Sequence, residues 1–424
     1  MTELLSPAGN FEKMKAALRF GADAVYLAGQ CFGMRSAADN FSDTELLAAL
    51  SYVHERGKKL YLTVNTLPHG SEYPRLRAFL SSFQTGDRPD ALIVSDLGVL
   101  SLARELLPEM PIHISTQASI VSPAAARAYA ALGATRLVLA RELTLAEIRE
   151  IRDSLPPSVS LEAFVHGSMC VSYSGRCLLS NHFTGRDANR GACTQPCRWN
   201  YTLVEEKRPG EPLPVLENEN GTFLLSSRDL CMLPHLPELI RAGVESFKIE
   251  GRMKSAYYTA VVTNAYRMAL DAYEKDPDGY RFDPKLYREV ESVSHREYAT
   301  GFFFDEVQKN AQLCTSPGYL REKAYLATVE EPEELPPELP PLTAGGRLCR
   351  LAQRNKFAVG DSVELLAPGR VGFPFTVSEM YAPDGTPISA VPHPKMIFYA
   401  RLPQFAAPGD ILRAGEDAYN KETP

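Results

Sequence analysis

The chain has 424 residues, 45% of them apolar and 23% charged, proportions usual for globular proteins in water. No apolar run approaches the roughly 20 residues that a membrane-spanning helix needs. The opening residues, Met1-Thr2-Glu3-Leu4-Leu5-Ser6-Pro7, lack the basic-then-apolar order of a secretory signal, so a cytoplasmic protein off the membrane is expected. A formal net charge of −7 supplies no general basic footprint, gives no support to DNA as a partner, and leaves any RNA binding to a local patch.

The first 250 residues repeat one phrase: an amphipathic helix, a glycine turn, then a short apolar run. Phe20-Gly21-Ala22-Asp23-Ala24-Val25, Leu132-Gly133-Ala134-Thr135-Arg136-Leu137 and Ala242-Gly243-Val244-Glu245-Ser246-Phe247 are three copies. Glycine suits the position just past a helix, and the apolar runs read as parallel strands buried on both faces. Strands are expected near 3–6, 24–28, 60–65, 91–95, 112–116, 136–140, 160–166 and 246–250. Helices fall between them, as at 42–56 and 98–107. Eight alternating units predict an α/β fold of the TIM-like (β/α) barrel type.

Several strands end in polar residues, including Asn65, Ser95-Asp96, Ser115-Thr116-Gln117, Arg141, His166 and Glu250-Gly251-Arg252. Each of these can be a helix cap, but together they predict a polar pocket at the C-terminal mouth. The phrasing breaks at about 167–230, an insertion that holds four of the eight cysteines and the single Trp199. Residues 255–313 read as mostly helical and capping the barrel. An acidic, Pro-rich linker spans 329–343, separating a catalytic domain over 1–328 from a small C-terminal β-barrel domain over 344–424.

Of eight cysteines, Cys170, Cys177, Cys193, Cys197 and Cys231 lie in or beside the insertion. Zinc knuckles and redox dithiols use Cys-x2-Cys pairs, which are absent. Longer gaps suit an iron–sulfur cluster, whose ligands come from separate segments. Spacing alone leaves cluster, zinc and plain thiols open.

The stretch from Glu162 to Ser180, with Phe164-Val165-His166-Gly167-Ser168-Met169-Cys170 and Gly175-Arg176-Cys177 inside it, resembles the signature of the family historically called peptidase U32. Supporting blocks are Asn189-Arg190-Gly191-Ala192-Cys193-Thr194-Gln195-Pro196-Cys197-Arg198-Trp199, Ser227-Arg228-Asp229-Leu230-Cys231 and Lys248-Ile249-Glu250-Gly251-Arg252-Met253-Lys254-Ser255. The resemblance implies an oxygen-independent hydroxylase with a 4Fe–4S cluster on Cys170, Cys177, Cys193 and Cys231, Cys197 being the alternate. Branches of the family hydroxylate the wobble uridine of tRNA, a cytidine of ribosomal RNA or a ubiquinone precursor. The C-terminal domain points to the tRNA branch, with prephenate as the hydroxyl donor and a paralogous U32 subunit as a possible partner.

On that basis His166, Lys248 and Glu250 are candidate catalytic groups, the last two alternating on one strand face. Arg141 and Arg252 are candidates to grip a dicarboxylate donor, since a guanidinium matches carboxylate geometry. Gln117 and Arg176 complete the substrate-binding set. Arg176, Arg186, Arg190, Arg198, Arg252 and Lys254 form the expected basic patch. Glu162 is expected to pair with a cation inside the barrel. The rival readings are a collagenase-like U32 protease and a non-catalytic iron–sulfur scaffold.

Overall fold

The computed structural model describes residues 2–34, 39–170, 172–173, 176–188, 191–199, 216–218, 221–223, 227–304, 320, 322–331 and 346–415. The catalytic half is a closed parallel barrel. Its strands are β1 (Glu3–Pro7), β2 (Ala24–Leu27), β3 (Lys59–Val64), β4 (Ala91–Val94), β5 (Ile112–Ile114), β6 (Arg136–Val138) and β7 (Ser160–Ser168). A hairpin of β8 (Leu216–Asn218) and β9 (Gly221–Phe223) and the short β10 (Asp229–Cys231) precede β11 (Ser246–Ile249). β11 pairs in parallel with both β1 and β7, closing eight strands into a ring. β10 adds antiparallel to the upper end of β7, and β12 (Tyr298–Ala299) adds to β10.

Outside the ring lie α1 (Phe11–Arg19), α2 (Asp43–His54), α3 (Tyr73–Ser81), α4 (Leu97–Leu106), α5 (Pro123–Ala131) and α6 (Leu145–Asp153). The insertion holds α7 (Leu179–Thr184), and α8 (Leu236–Arg241), α9 (Ala256–Lys275) and α10 (Pro284–Glu291) follow. Local chemistry sets several starts: Ser42 with Glu45 and Thr144 with Glu147 form capping boxes, and Asp96 caps α4. Gly21, Gly133 and Gly243, the repeated turn glycines, all have φ near +90° to +100°, a region costly for any side chain. The expected cap over 255–313 differs in outcome. α9 packs beside α1 and β1 as a member of the outer ring, its first three turns buried.

The second domain is an eight-stranded antiparallel sheet. It comprises β13 (Tyr325–Val329), β14 (Arg347–Gln353), β15 (Ser362–Leu366), β16 (Phe373–Thr376), β17 (Met380–Tyr381), β18 (Pro387–Ile388), β19 (Ile397–Leu402) and β20 (Ile411–Ala414). Its apolar face surrounds a separate core that includes Leu351, Leu365, Phe398 and Leu412. The boundary expected at 328 moves upstream, because β13 pairs with both β14 and β20 at the centre of this sheet. A strand with two partners belongs to the sheet that satisfies its backbone, whatever linker follows it. Most of the Pro-rich linker and Cys314 lie outside the described residues.

The domains are tied by buried polar contacts. Asn264 of α9 donates to the carbonyl of Arg370 at 2.9 Å and accepts from the Gly369 N–H at 2.8 Å. Arg413, 1% exposed, bridges Glu289 and Glu364, each at 2.7 Å. Among the described residues no helix is long and apolar enough to cross a membrane.

Candidate active site at the barrel mouth

The interior of the barrel is polar at its floor. Arg136 pairs with Glu3 and, at 3.3 Å, with Glu162, while the Lys248 ammonium donates to the other Glu162 oxygen at 2.7 Å. Ser246 donates to both carboxylates and Tyr61 donates to Glu3 at 2.6 Å. Two anions thus meet two cations with their hydrogen bonds shared, which makes so buried a set tolerable. Glu162 therefore has the interior cation expected of it. Lys248 is held by this pair and by the ring of Tyr26, 4.4 Å away, and its ammonium forms the base of the pocket above.

That pocket opens at the C-terminal mouth. Tyr26, Ile93 and Phe164 form its apolar wall, and Asn65, Ser115, Gln117, Arg141, Glu250 and Arg252 its polar rim. Arg141 reaches Glu250 at 3.6 Å, donates to the Ser168 carbonyl at 3.0 Å and lies 4.0 Å over the Phe164 ring. Arg252 is 3% exposed and donates to the Met34 carbonyl. Asn65 is fixed by Met34, whose N–H donates to its Oδ1 at 3.1 Å. Asn65 and Ser115 were visible only as polar strand ends, and nothing in the sequence singles out Met34 or Tyr173 for the lining.

Four cysteines share this mouth: Cys170, Cys177, Cys193 and Cys197 all line the pocket. Cys231 does not. It sits in β10 opposite His166, 3% exposed, and burial pushes its thiol up to about 12. The Ser227–Cys231 block therefore does not bring a fourth sulfur to the mouth, whereas Cys197 does.

His166 is also elsewhere. The register between β7 and β11 shifts so that Lys248 opposes Phe164 but Ile249 opposes His166, leaving Val165 as an extra residue. Such a bulge reverses the inside–outside alternation. Glu162 and Phe164 face in, while His166 points out, among Tyr258, Tyr266 and Tyr298. Both its nitrogens meet tyrosine hydroxyls, and burial pushes its pKa down to about 3. It is a neutral buried imidazole without access to the pocket.

Four side chains of the expected basic patch are among the described residues. Arg176 and Arg186 are exposed on the insertion, Arg252 is buried, and Lys254 donates to the Ser294 carbonyl at 2.9 Å. Arg190 and the Arg198 side chain lie outside the described residues.

The model of Peptidase family U32 matches residues 9–313, and that of the family's C-terminal domain matches 342–413. The chain belongs to peptidase family U32. Among its relatives, the tRNA hydroxylation protein P1 of Bacillus subtilis is 35% identical over 98% of this chain and 95% of its own length. The tRNA hydroxylation protein P of Escherichia coli is 35% identical over 91% of each. The 23S rRNA 5-hydroxycytidine C2501 synthase of Escherichia coli is 42% identical over 64% of this chain and 39% of that protein.

The thiols of this U32 mouth form a soft donor set beside two guanidiniums, Arg141 and Arg252. Such a set suits zinc or an iron–sulfur cluster and not a hard, oxygen-seeking cation. Among the described residues no three Cys, His, Asp or Glu side chains converge on a single metal ion. Cys170, Cys177, Cys193 and Cys197 line one cavity.

Proposed function

We propose that this chain is an oxygen-independent RNA hydroxylase that converts a tRNA wobble uridine to 5-hydroxyuridine with a prephenate-derived hydroxyl group. Cys170, Cys177, Cys193 and Cys197 would hold its 4Fe–4S cluster. The observation that carries the reading is that these four cysteines line the same pocket as Arg141, Glu250 and Arg252. The names of the full-length relatives supply the substrate class.

When bound, the cluster supplies electron transfer or an iron Lewis acid next to the substrates. The chain's own residues do the rest. Arg141 and Arg252 offer guanidinium donors to the two carboxylates of the donor, in the fork geometry that carboxylates accept. Glu250 holds Arg141 across the rim until a substrate carboxylate replaces it. Gln117 and Asn65 present amide donors and acceptors suited to the edge of a uracil. Tyr26, Ile93 and Phe164 keep the inner wall dry, which strengthens each polar contact there. Lys248, fixed by Glu162, places a positive charge beneath the reacting groups.

Proteolysis would need a cysteine with a histidine base in reach. The histidine expected to serve, His166, lies on the other side of β7.

The test is nucleoside mass spectrometry of tRNA from a strain lacking the gene. Loss of 5-hydroxyuridine, restored by the wild-type gene but not by Cys170→Ala, is the expected result. Unchanged tRNA with lost 5-hydroxycytidine in ribosomal RNA would move the assignment to that branch. No change in either RNA would overturn it.

A further inference from the structure

The insertion that carries the cysteines also exposes apolar groups of unusual size. Phe183 on α7 and Trp199, just past the turn Pro196–Arg198, have ring centroids 6.3 Å apart and are 50% and 40% exposed. Tyr173 and Leu178 are 57% and 73% exposed beside them in the chain. Side chains of this size left in water on one segment mark a surface used for contact.

Two features identify the partner. The same segment exposes Arg176 and Arg186, so cations and rings share one stretch of the chain. Rings interleaved with guanidiniums suit stacked bases joined by phosphates better than a second apolar protein face. The segment is also continuous with the pocket: Tyr173 and Cys197 line it, and Cys197 precedes Trp199 by two residues. A strand lying on the rings would have one nucleotide at the pocket entrance.

We infer that Trp199 and Phe183 form a stacking platform for an unpaired RNA loop, holding the neighbours of the target base while that base enters the barrel mouth. Arg176 and Arg186 take the flanking phosphates. The inference rests on the RNA reading above and adds the surface that would select a single-stranded loop over a duplex. An extruded base leaves its neighbours unstacked, and aromatic side chains replace that lost stacking.

Trp199 is the chain's single tryptophan, so its emission reports this platform alone. The holoenzyme, kept free of oxygen, is titrated with a dye-labelled RNA hairpin whose loop contains an unpaired uridine, and with a fully paired duplex of equal length. The hairpin is expected to change Trp199 emission at the same concentrations at which the dye anisotropy rises, and the duplex to bind more weakly. Phe183→Ala is expected to weaken hairpin binding roughly ten-fold, with iron content unchanged. Hairpin binding that leaves Trp199 emission unchanged, with Phe183→Ala binding as wild type, would overturn the platform and leave the RNA reading standing. Equal binding of duplex and hairpin would overturn loop selection. An emission change driven by protein concentration alone would identify the patch as a protein contact. Failure of every RNA to bind would remove the RNA reading itself.

Discussion

Arg296 closes onto Asp229 from 67 residues away: its Nη2 and Nε donate to Oδ1 at 2.6 and 2.9 Å, and its backbone N–H donates to Oδ2 at 3.1 Å. The same guanidinium donates to the Met169 carbonyl at 3.3 Å, which also accepts from the Ser227 hydroxyl at 2.7 Å. Both ends of the cysteine-bearing insertion therefore meet on one buried pair, a single residue before Cys170. Burial pushes the Asp229 carboxyl up, but Arg296 outweighs it and holds the group below its ordinary value. The Ser227–Cys231 block of the family signature has its structural use here, as the clamp at the foot of the insertion.

Breaking the clamp should loosen the ligand loop. Arg296→Gln leaves a buried carboxylate without its cation, a change that costs about 3–5 kcal/mol when a buried pair loses one member. Chemical denaturation should show that loss, and purified protein should carry less iron per chain. A variant with full iron content would show that the insertion is held by other contacts.

The position of the sulfurs predicts which of them matter for metal. Alanine at Cys170, Cys177, Cys193 or Cys197 should abolish iron and sulfide retention in anaerobic preparations, together with visible absorption. Cys231→Ala should keep both and lose only about 1–2 kcal/mol of stability through the small cavity left in the core. A colourless Cys231→Ala protein beside a coloured Cys197→Ala protein would reverse the assignment.

Arg141 stacks on Phe164 and faces Glu250 across the rim. Arg141→Lys keeps the charge but loses the planar fork. It should raise KM for a dicarboxylate donor roughly ten-fold with little change in kcat, because binding and not chemistry uses that geometry. Steady-state kinetics against the donor concentration would separate the two.

Acid should destabilise the barrel through two buried histidines. Burial holds His113 well below its ordinary pKa and His166 at about 3, so both remain neutral in the folded protein. In the unfolded chain each takes a proton as pH falls through about 6.5, so the unfolded state binds more protons and stability falls with pH. The stabilisation is intact above that value and drains away as pH drops towards the folded pKa. Between pH 7.5 and 5.5 the two together should remove about 2–3 kcal/mol, measured as a shift in denaturant midpoint. A pH-independent midpoint over that range would contradict their buried neutral state.

The sequence by itself determined the barrel. A parallel strand buried on both faces is apolar along its length, so Ala24–Leu27 and Ala91–Val94 stand out against the amphipathic helices between them. It also marked the polar strand ends that became the pocket rim, because side chains at the ends of barrel strands have only the mouth to face. Direction and partnership were decided by the tertiary structure. Strict alternation puts Glu162, Phe164 and His166 on one face, and a single extra residue at Val165, imposed by pairing with β11, turns His166 outward. Along the chain Cys231 reads as the fourth ligand and Cys197 as its alternate. Antiparallel pairing with β7 buries the first among tyrosines, while the fold of the insertion returns the second to the mouth. The same holds for β13, which lies before the linker in sequence but in the second sheet in space. Each of these outcomes depends on which distant strand satisfies a backbone, and local residue pattern carries no record of that choice.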